Sequence, residues 1–97
     1  MIIVLAKLTP KENVASKIID EAQALIKATR EEEGCIGYNL YNPTDGDKTL
    51  LFVEQWEEKD HLKSHLQQTH FLDFESAIGD LAESLEIKVY SSEEIEL

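Results

Sequence analysis

The sequence predicts an α+β domain of the ferredoxin-like type: a four-stranded antiparallel sheet with helices on one face, in the order βαββαβ. Three observations carry the prediction. Short stretches rich in β-branched and apolar residues alternate with longer ones whose apolar residues recur every three or four positions. The turn residues Asn42-Pro43-Thr44-Asp45-Gly46-Asp47 hold two of the strands in one hairpin. A chain of 97 residues has length for one domain, residues 1–97.

The first strand is residues 2–8, Ile-Ile-Val-Leu-Ala-Lys-Leu. Thr9-Pro10-Lys11-Glu12 then reads as a helix start. Thr9 caps, Pro10 takes the first helical position and Glu12 completes a capping box. The helix is expected to run to about Glu33 and to stop at Gly34. Its inward stripe is Val14, Ile18, Ala22, Leu25 and Thr29, widened by Ile26.

Cys35 to Tyr41 and Thr49 to Trp56 are the hairpin strands. Alternation puts Ile36, Tyr38 and Leu40 on one face of the first. On the second, Leu50, Phe52, Glu54 and Trp56 share a face, and Leu51, Val53 and Gln55 the other. Both faces are rich in apolar residues, so both need a cover. Helices supply one; a twofold partner presenting its own sheet is the simplest supplier of the other. A homodimer is therefore expected. Residues 57–66 form a short helix. A second starts near Thr69 and carries Phe71, Phe74, Ile78 and Leu81. Leu85 to Tyr90 is the last strand, and the acidic tail holds Ile95 and Leu97 as docking residues.

The net charge of −11 argues against nucleic acid and anionic membrane as partners, since both demand a basic surface. The asymmetry is marked: residues 1–48 carry eight acids and six bases, residues 49–97 twelve and three. A single cysteine, Cys35, permits no intrachain disulfide and fits a reducing compartment. Glu31, Glu32 and Glu33 just before it would raise its pKa, so it reads as a small buried hydrophobe. Met1 to Leu8 is too short for a signal peptide or a membrane span, and the expected location is the cytoplasm.

Titratable and aromatic residues gather between Glu54 and Phe71, where a strand end meets a helix. Glu54 sits in an apolar strand; buried, its pKa should rise far enough for it to act as a base near neutral pH. The alternative is an ion pair with Lys7 or Lys88. His65 is the other candidate acid/base, and Trp56, Tyr38, Phe52, Phe71 and Phe74 offer an aromatic box for a flat molecule. His61 and His65 stand one helical turn apart, with His70 after a break. No His-Glu-x-x-His signature accompanies them, and no metal site is expected. His70 also suits a helix start, and His61 a solvated helix face. There is no glycine-rich loop for a dinucleotide or flavin.

Glu33-Gly34-Cys35-Ile36-Gly37-Tyr38, Phe52-x-Glu54-x-Trp56, Leu62-x-x-His65 and Thr69-His70-Phe71 together resemble the antibiotic biosynthesis monooxygenase family, in its quinol-monooxygenase-like branch. The resemblance implies a dimeric α+β barrel, a homodimer whose sheets face each other, with a pocket in each subunit between sheet and helices. The family's activities include cofactor-independent oxygenation of phenols, quinols or anthrones by O₂ and non-oxidative processing of small metabolites, and the pair His65 and His70 best matches the quinol-monooxygenase-like and autoinducer-processing branches. With the residue reading above, the expected activity is cofactor-independent oxygenation of a small quinol or phenol, with His65 and Glu54 as catalytic residues. Trp56, Tyr38, Phe52, His70, Phe71 and Phe74 would contact the substrate. Some positions depart from other branches. Anthrone-oxidising members carry an Asn where this chain has Phe52 and a Tyr where it has Leu62. Haem-degrading relatives carry an Asn in the first strand and a Trp in the helix after the third, where this chain offers Ala6 and His65. Two further readings are a non-catalytic, small-ligand-binding or stress-associated dimer and a cofactor-free isomerase or lyase. O₂ consumption separates them from an oxygenase.

Overall fold

The computed structural model describes residues 1–97. Its elements are β1 (Ile2–Pro10), α1 (Ala15–Arg30), β2 (Cys35–Tyr41), β3 (Leu50–Trp56), α2 (Lys59–His65), α3 (Thr69–Ile78) and β4 (Ala82–Ser91). The strands pair antiparallel in the order β2-β3-β1-β4. This is the ferredoxin-like α+β arrangement expected, with the second helical region broken in two. No helix is long and apolar enough to cross a membrane.

The start of α1 differs from the expectation. Thr9 and Pro10 finish β1 rather than opening a helix, and Pro10 is buried opposite Ala82 at a register shift. Proline lacks the ladder N–H, and a strand end or bulge is where a sheet accepts it. Lys11 donates its backbone N–H to Leu81, Asn13 turns the chain at φ 65°, and the helix begins at Ala15 without a side-chain cap. Ile18, Ala22, Leu25 and Thr29 are buried along it. Each large aliphatic side chain so buried contributes roughly 1.5–3 kcal/mol.

The far end of α1 also differs. The helix stops at Arg30, and Glu31 to Glu33 form a turn closed by Gly34 at φ 80°. Gly34 has a second constraint: a Cβ there would stand 2.1 Å from the His61 ring. A larger residue would strain the backbone and displace that histidine.

β2 holds the other correction. Cys35 pairs with Trp56 but Gly37 with Gln55, so Ile36 is the extra residue of a bulge and is exposed. Tyr38, not Ile36, is the buried residue of this end of the strand. β3 alternates without interruption: Leu50, Phe52, Glu54 and Trp56 are buried, and Leu51, Val53 and Gln55 half-exposed. Phe52 and Trp56 join Val4, Ala6 and Leu8 of β1 and the inward stripe of α1 in one core. On the opposite face Ile3 and Leu5 of β1 lie half-exposed beside Leu51 and Val53.

Candidate active site

Between the sheet and helices α2 and α3 lies a cavity of about 110 Å³, lined by 16 residues of which 13 are hydrophobic. β1 contributes Val4, Ala6 and Leu8; α2, α3 and their junction contribute Leu62, Leu66, Phe71, Phe74 and Ile78. Leu85, Ile87 and Val89 of β4, each about half exposed, complete the lining. Phe52 and Phe74 meet edge to face at 5.8 Å, and Tyr38 tilts against Phe52 at 5.7 Å. The charged or titratable lining residues are Tyr38, Glu54, His65 and Glu75. No Lys or Arg is among them.

Six of the eight residues singled out in the sequence line this cavity: Tyr38, Phe52, Glu54, His65, Phe71 and Phe74. Trp56 and His70 do not. Trp56 is fully buried behind the lining, its ring 4.9 Å from that of His65, and its Nε1–H donates to Glu54 Oε1 at 3.0 Å. His70 lies on the outer side of His65, about a quarter exposed.

Glu54 owes its place to register. It pairs with Val4 on one side and Tyr38 on the other, in the interior of the sheet. It forms no ion pair; Lys88 is bonded to Glu86, and Lys7 is exposed. Burial penalises its charge and pushes its pKa from 4.5 to about 7, with the Trp56 hydrogen bond opposing the rise and Glu32 adding to it. Tyr38 is pushed well above the ordinary tyrosine value by burial and then by Glu54 and Glu32, so its phenol stays neutral.

His65 closes α2 and is 1% exposed. Its Nδ1 lies 2.6 Å from Glu32 Oε2, and the same oxygen lies 2.7 Å from His70 Nε2. An ionised carboxylate can only accept, so both nitrogens carry hydrogens when Glu32 is charged. That leaves His65 Nε2 as a bare acceptor, and it is buried with no partner in the protein. Burial pushes the imidazole below its ordinary 6.5, although the Glu32 carboxylate pulls the other way. His65 is thus held neutral in one tautomer.

The reading of the sequence missed Glu32. A usable signal was present: Glu32 continues the buried series Ile18, Ala22, Leu25, Thr29 by one more step of three. An acid extending an apolar stripe marks a carboxylate turned toward the interior. The expectation for His61 also changes. Its ring is half-buried against Gly34, and its Nδ1 is buried without a partner.

Glu32, His65 and His70 bring three potential metal-ligand atoms within 4.8 Å of one another. The contacts of 2.6 and 2.7 Å are hydrogen-bond distances. Two ligands sharing a tetrahedral zinc would stand about 3.3 Å apart, given metal–nitrogen and metal–oxygen bonds near 2.0–2.1 Å. The geometry fits a carboxylate shared by two imidazoles. Cys35, half-buried at the start of β2, has its thiol pushed up by burial and by the Glu32 and Glu54 charges.

The family model for antibiotic biosynthesis monooxygenase matches residues 1–77. The chain belongs to that family. It is 33% identical over 90 residues to the uncharacterized protein sll1783 of Synechocystis sp., covering 92% of this chain but only 61% of that protein. It is 27% identical over 83 residues to YgiN of Escherichia coli, named a probable quinol monooxygenase, covering 76% and 80% of the two chains. The solved structure of Rv0793 from Mycobacterium tuberculosis superposes with a TM-score of 0.89 at 26% identity, over 97% of this chain and 96% of that one. Family membership and the names of these relatives support a monooxygenase-like function.

Proposed function

We propose that the protein is a cofactor-independent monooxygenase that oxidises a small, uncharged phenol or quinol with O₂. The observation that carries this reading is an aromatic-walled cavity with a neutral, tautomer-fixed histidine beside a buried acid. The size admits no more than a single ring: at about 110 Å³ the cavity is smaller than the apolar cavity of roughly 150 Å³ that holds benzene. The lining supports a neutral molecule, because Glu54 and Glu75 would repel an anion and no base would pair with it.

His65 Nε2 takes the phenolic proton. The site desolvates the resulting phenolate, which passes one electron to O₂. Superoxide and the aryloxyl radical combine at a ring carbon as a peroxide, and Glu54, with a pKa near 7, supplies it a proton. Loss of water leaves a quinone carbonyl, so one oxygen atom enters the ring and the other leaves as water. Tyr38, Phe52, Phe71 and Phe74 hold the ring; Trp56 orients Glu54.

The active form is a homodimer. The half-exposed Ile3, Leu5, Leu51 and Val53 on the helix-free face, and the typical dimeric state of the family, support this. The test is O₂ uptake with a panel of hydroquinones and monophenols, product identified by mass. Uptake that follows substrate and yields the quinone is expected. Tight binding of the panel without uptake would leave the chain a binding protein.

A further inference from the structure

We propose that Glu32 is the proton outlet of the cavity, passing the proton collected by His65 to the open groove on the far side of the wall, with His70 positioning the carboxylate. The proposal rests on the reading of His65 as the base and adds where its proton goes.

His65 is part of two surroundings at once. Its ring lines the apolar cavity, while its Nδ1 is bonded to Glu32. Glu32 in turn lines a separate groove with Glu31, Glu33, Asp60 and His61, open to solvent. Exposure rises along the hydrogen-bonded series, from 1% at His65 to 12% at Glu32 and 24% at His70. The rest of the cavity wall toward solvent is apolar, with Leu66, Leu85 and Ile87, except for the exposed Glu75 of α3, which no hydrogen bond joins to His65.

The bookkeeping closes with the groups present. The substrate O–H bond breaks and its proton binds Nε2. The Nδ1–H proton moves 2.6 Å to Glu32 Oε2, so the imidazole is neutral again with its tautomer reversed. The carboxylic proton leaves to water in the groove. After the peroxide step a proton returns from the groove through Glu32 to Nδ1 while Nε2–H gives its proton to Glu54, replacing the one Glu54 supplied, so that both groups are restored and no net proton is released. His70 Nε2 lies 2.7 Å from the same oxygen and holds the carboxylate in place against His65. The groups that bias the series are Glu54, Cys35 and Tyr38 on the sheet side, and Glu31, Glu33, Asp60 and His61 around the groove. Glu21 and Asp73 flank His70 from α1 and α3.

Two measurements test the outlet, and neither needs turnover. Long-range ¹H–¹⁵N NMR of the ligand-free protein at neutral pH should show His65 protonated at Nδ1 and bare at Nε2. The reverse tautomer, which free imidazoles favour, would overturn the proposal. The second uses para-nitrophenol, whose ionised form is yellow. The wild type should bind it as the phenolate, its proton held on the His65–Glu32 pair. Glu32→Gln should still bind it, with the ionised fraction reduced about tenfold or more, as expected when an opposite charge near the imidazolium is lost. Glu32→Asp should restore part of it. Unchanged ionisation in Glu32→Gln, or loss of it only in Glu54→Gln, would refute the outlet. Absence of nitrophenol binding would instead contradict the cavity as a phenol site, and the His65 tautomer would still decide the role of Glu32.

Discussion

Replacing Glu54 by Gln should stabilise the protein in alkali and leave it nearly unchanged in acid. The side chain is 6% exposed and accepts one hydrogen bond, from Trp56 Nε1. Its folded pKa is raised from 4.5 to about 7. Between those values the folded chain holds a proton that the unfolded chain has lost, so stability falls as pH rises through this window. At about 1.4 kcal/mol per pH unit, the cost of the buried charge above pH 7 is about 3 kcal/mol. Glutamine keeps the acceptor for Trp56 and never ionises. The expected gain is thus about 3 kcal/mol at pH 9 and close to zero at pH 4.5. In a domain of this size it corresponds to a rise in Tm of roughly 10–20 °C. Urea unfolding of both proteins from pH 4.5 to 9 reads the difference directly. His65 contributes in the opposite sense: its folded pKa lies below 6.5, so its share of stability is lost as pH falls below that value. Comparing variant with wild type at each pH cancels the histidine. A constant offset across the range, or a variant less stable at pH 9, would refute the argument.

His65→Ala should lower turnover of a phenol substrate by roughly 10²-fold or more, the usual scale for a general base, with folding and dimerisation intact; a steady-state assay beside circular dichroism checks it. Cys35→Ala should cost little activity, because the thiol is half-buried with its pKa raised; rapid labelling of native protein accompanied by inactivation would contradict this. Sedimentation at micromolar concentration should give a dimer, with an interface above about 1,000 Å² across the helix-free face, and a monomer would refute it.

The sheet was legible because its signal is periodic. β3 reads as alternation and folds as alternation, and that put Glu54 on one face with Leu50, Phe52 and Trp56, the face that is buried. The helix stripe was equally plain, and four of its five expected residues are buried. What misled was punctuation. Thr9-Pro10 carries the local chemistry of a helix start, yet the pairing of β1 with β4 extends through it. The bulge at Ile36 has no local signature beyond the neighbouring glycines, and it reverses which side chain faces inward. Long-range pairing decides both, and propensity does not register it.

The candidate site divides in the same way. Glu54, His65 and Phe71 lie on one run of sequence with Phe52 and Phe74 at its edges, and the structure brings them to one cavity with Tyr38 of β2. Glu32 lies 33 positions before His65, and only the close packing of the turn after α1 against α2 joins them. Three consecutive acids look like solvated surface; in the turn after α1 only Glu32 is turned inward, while its neighbours Glu31 and Glu33 are exposed. Trp56 shows the converse. Its chemistry suits a substrate wall, but its position at the end of β3 puts it behind the cavity, where its indole N–H holds Glu54.

The most direct measurement is a crystal structure of the protein with a single-ring quinol, grown without oxygen so that the molecule is not consumed. The account predicts the ring in the cavity against Phe52 and Phe74, its hydroxyl within hydrogen-bond distance of His65 Nε2. A quinol bound elsewhere, or in the cavity with its hydroxyls turned away from both His65 and Glu54, would contradict it.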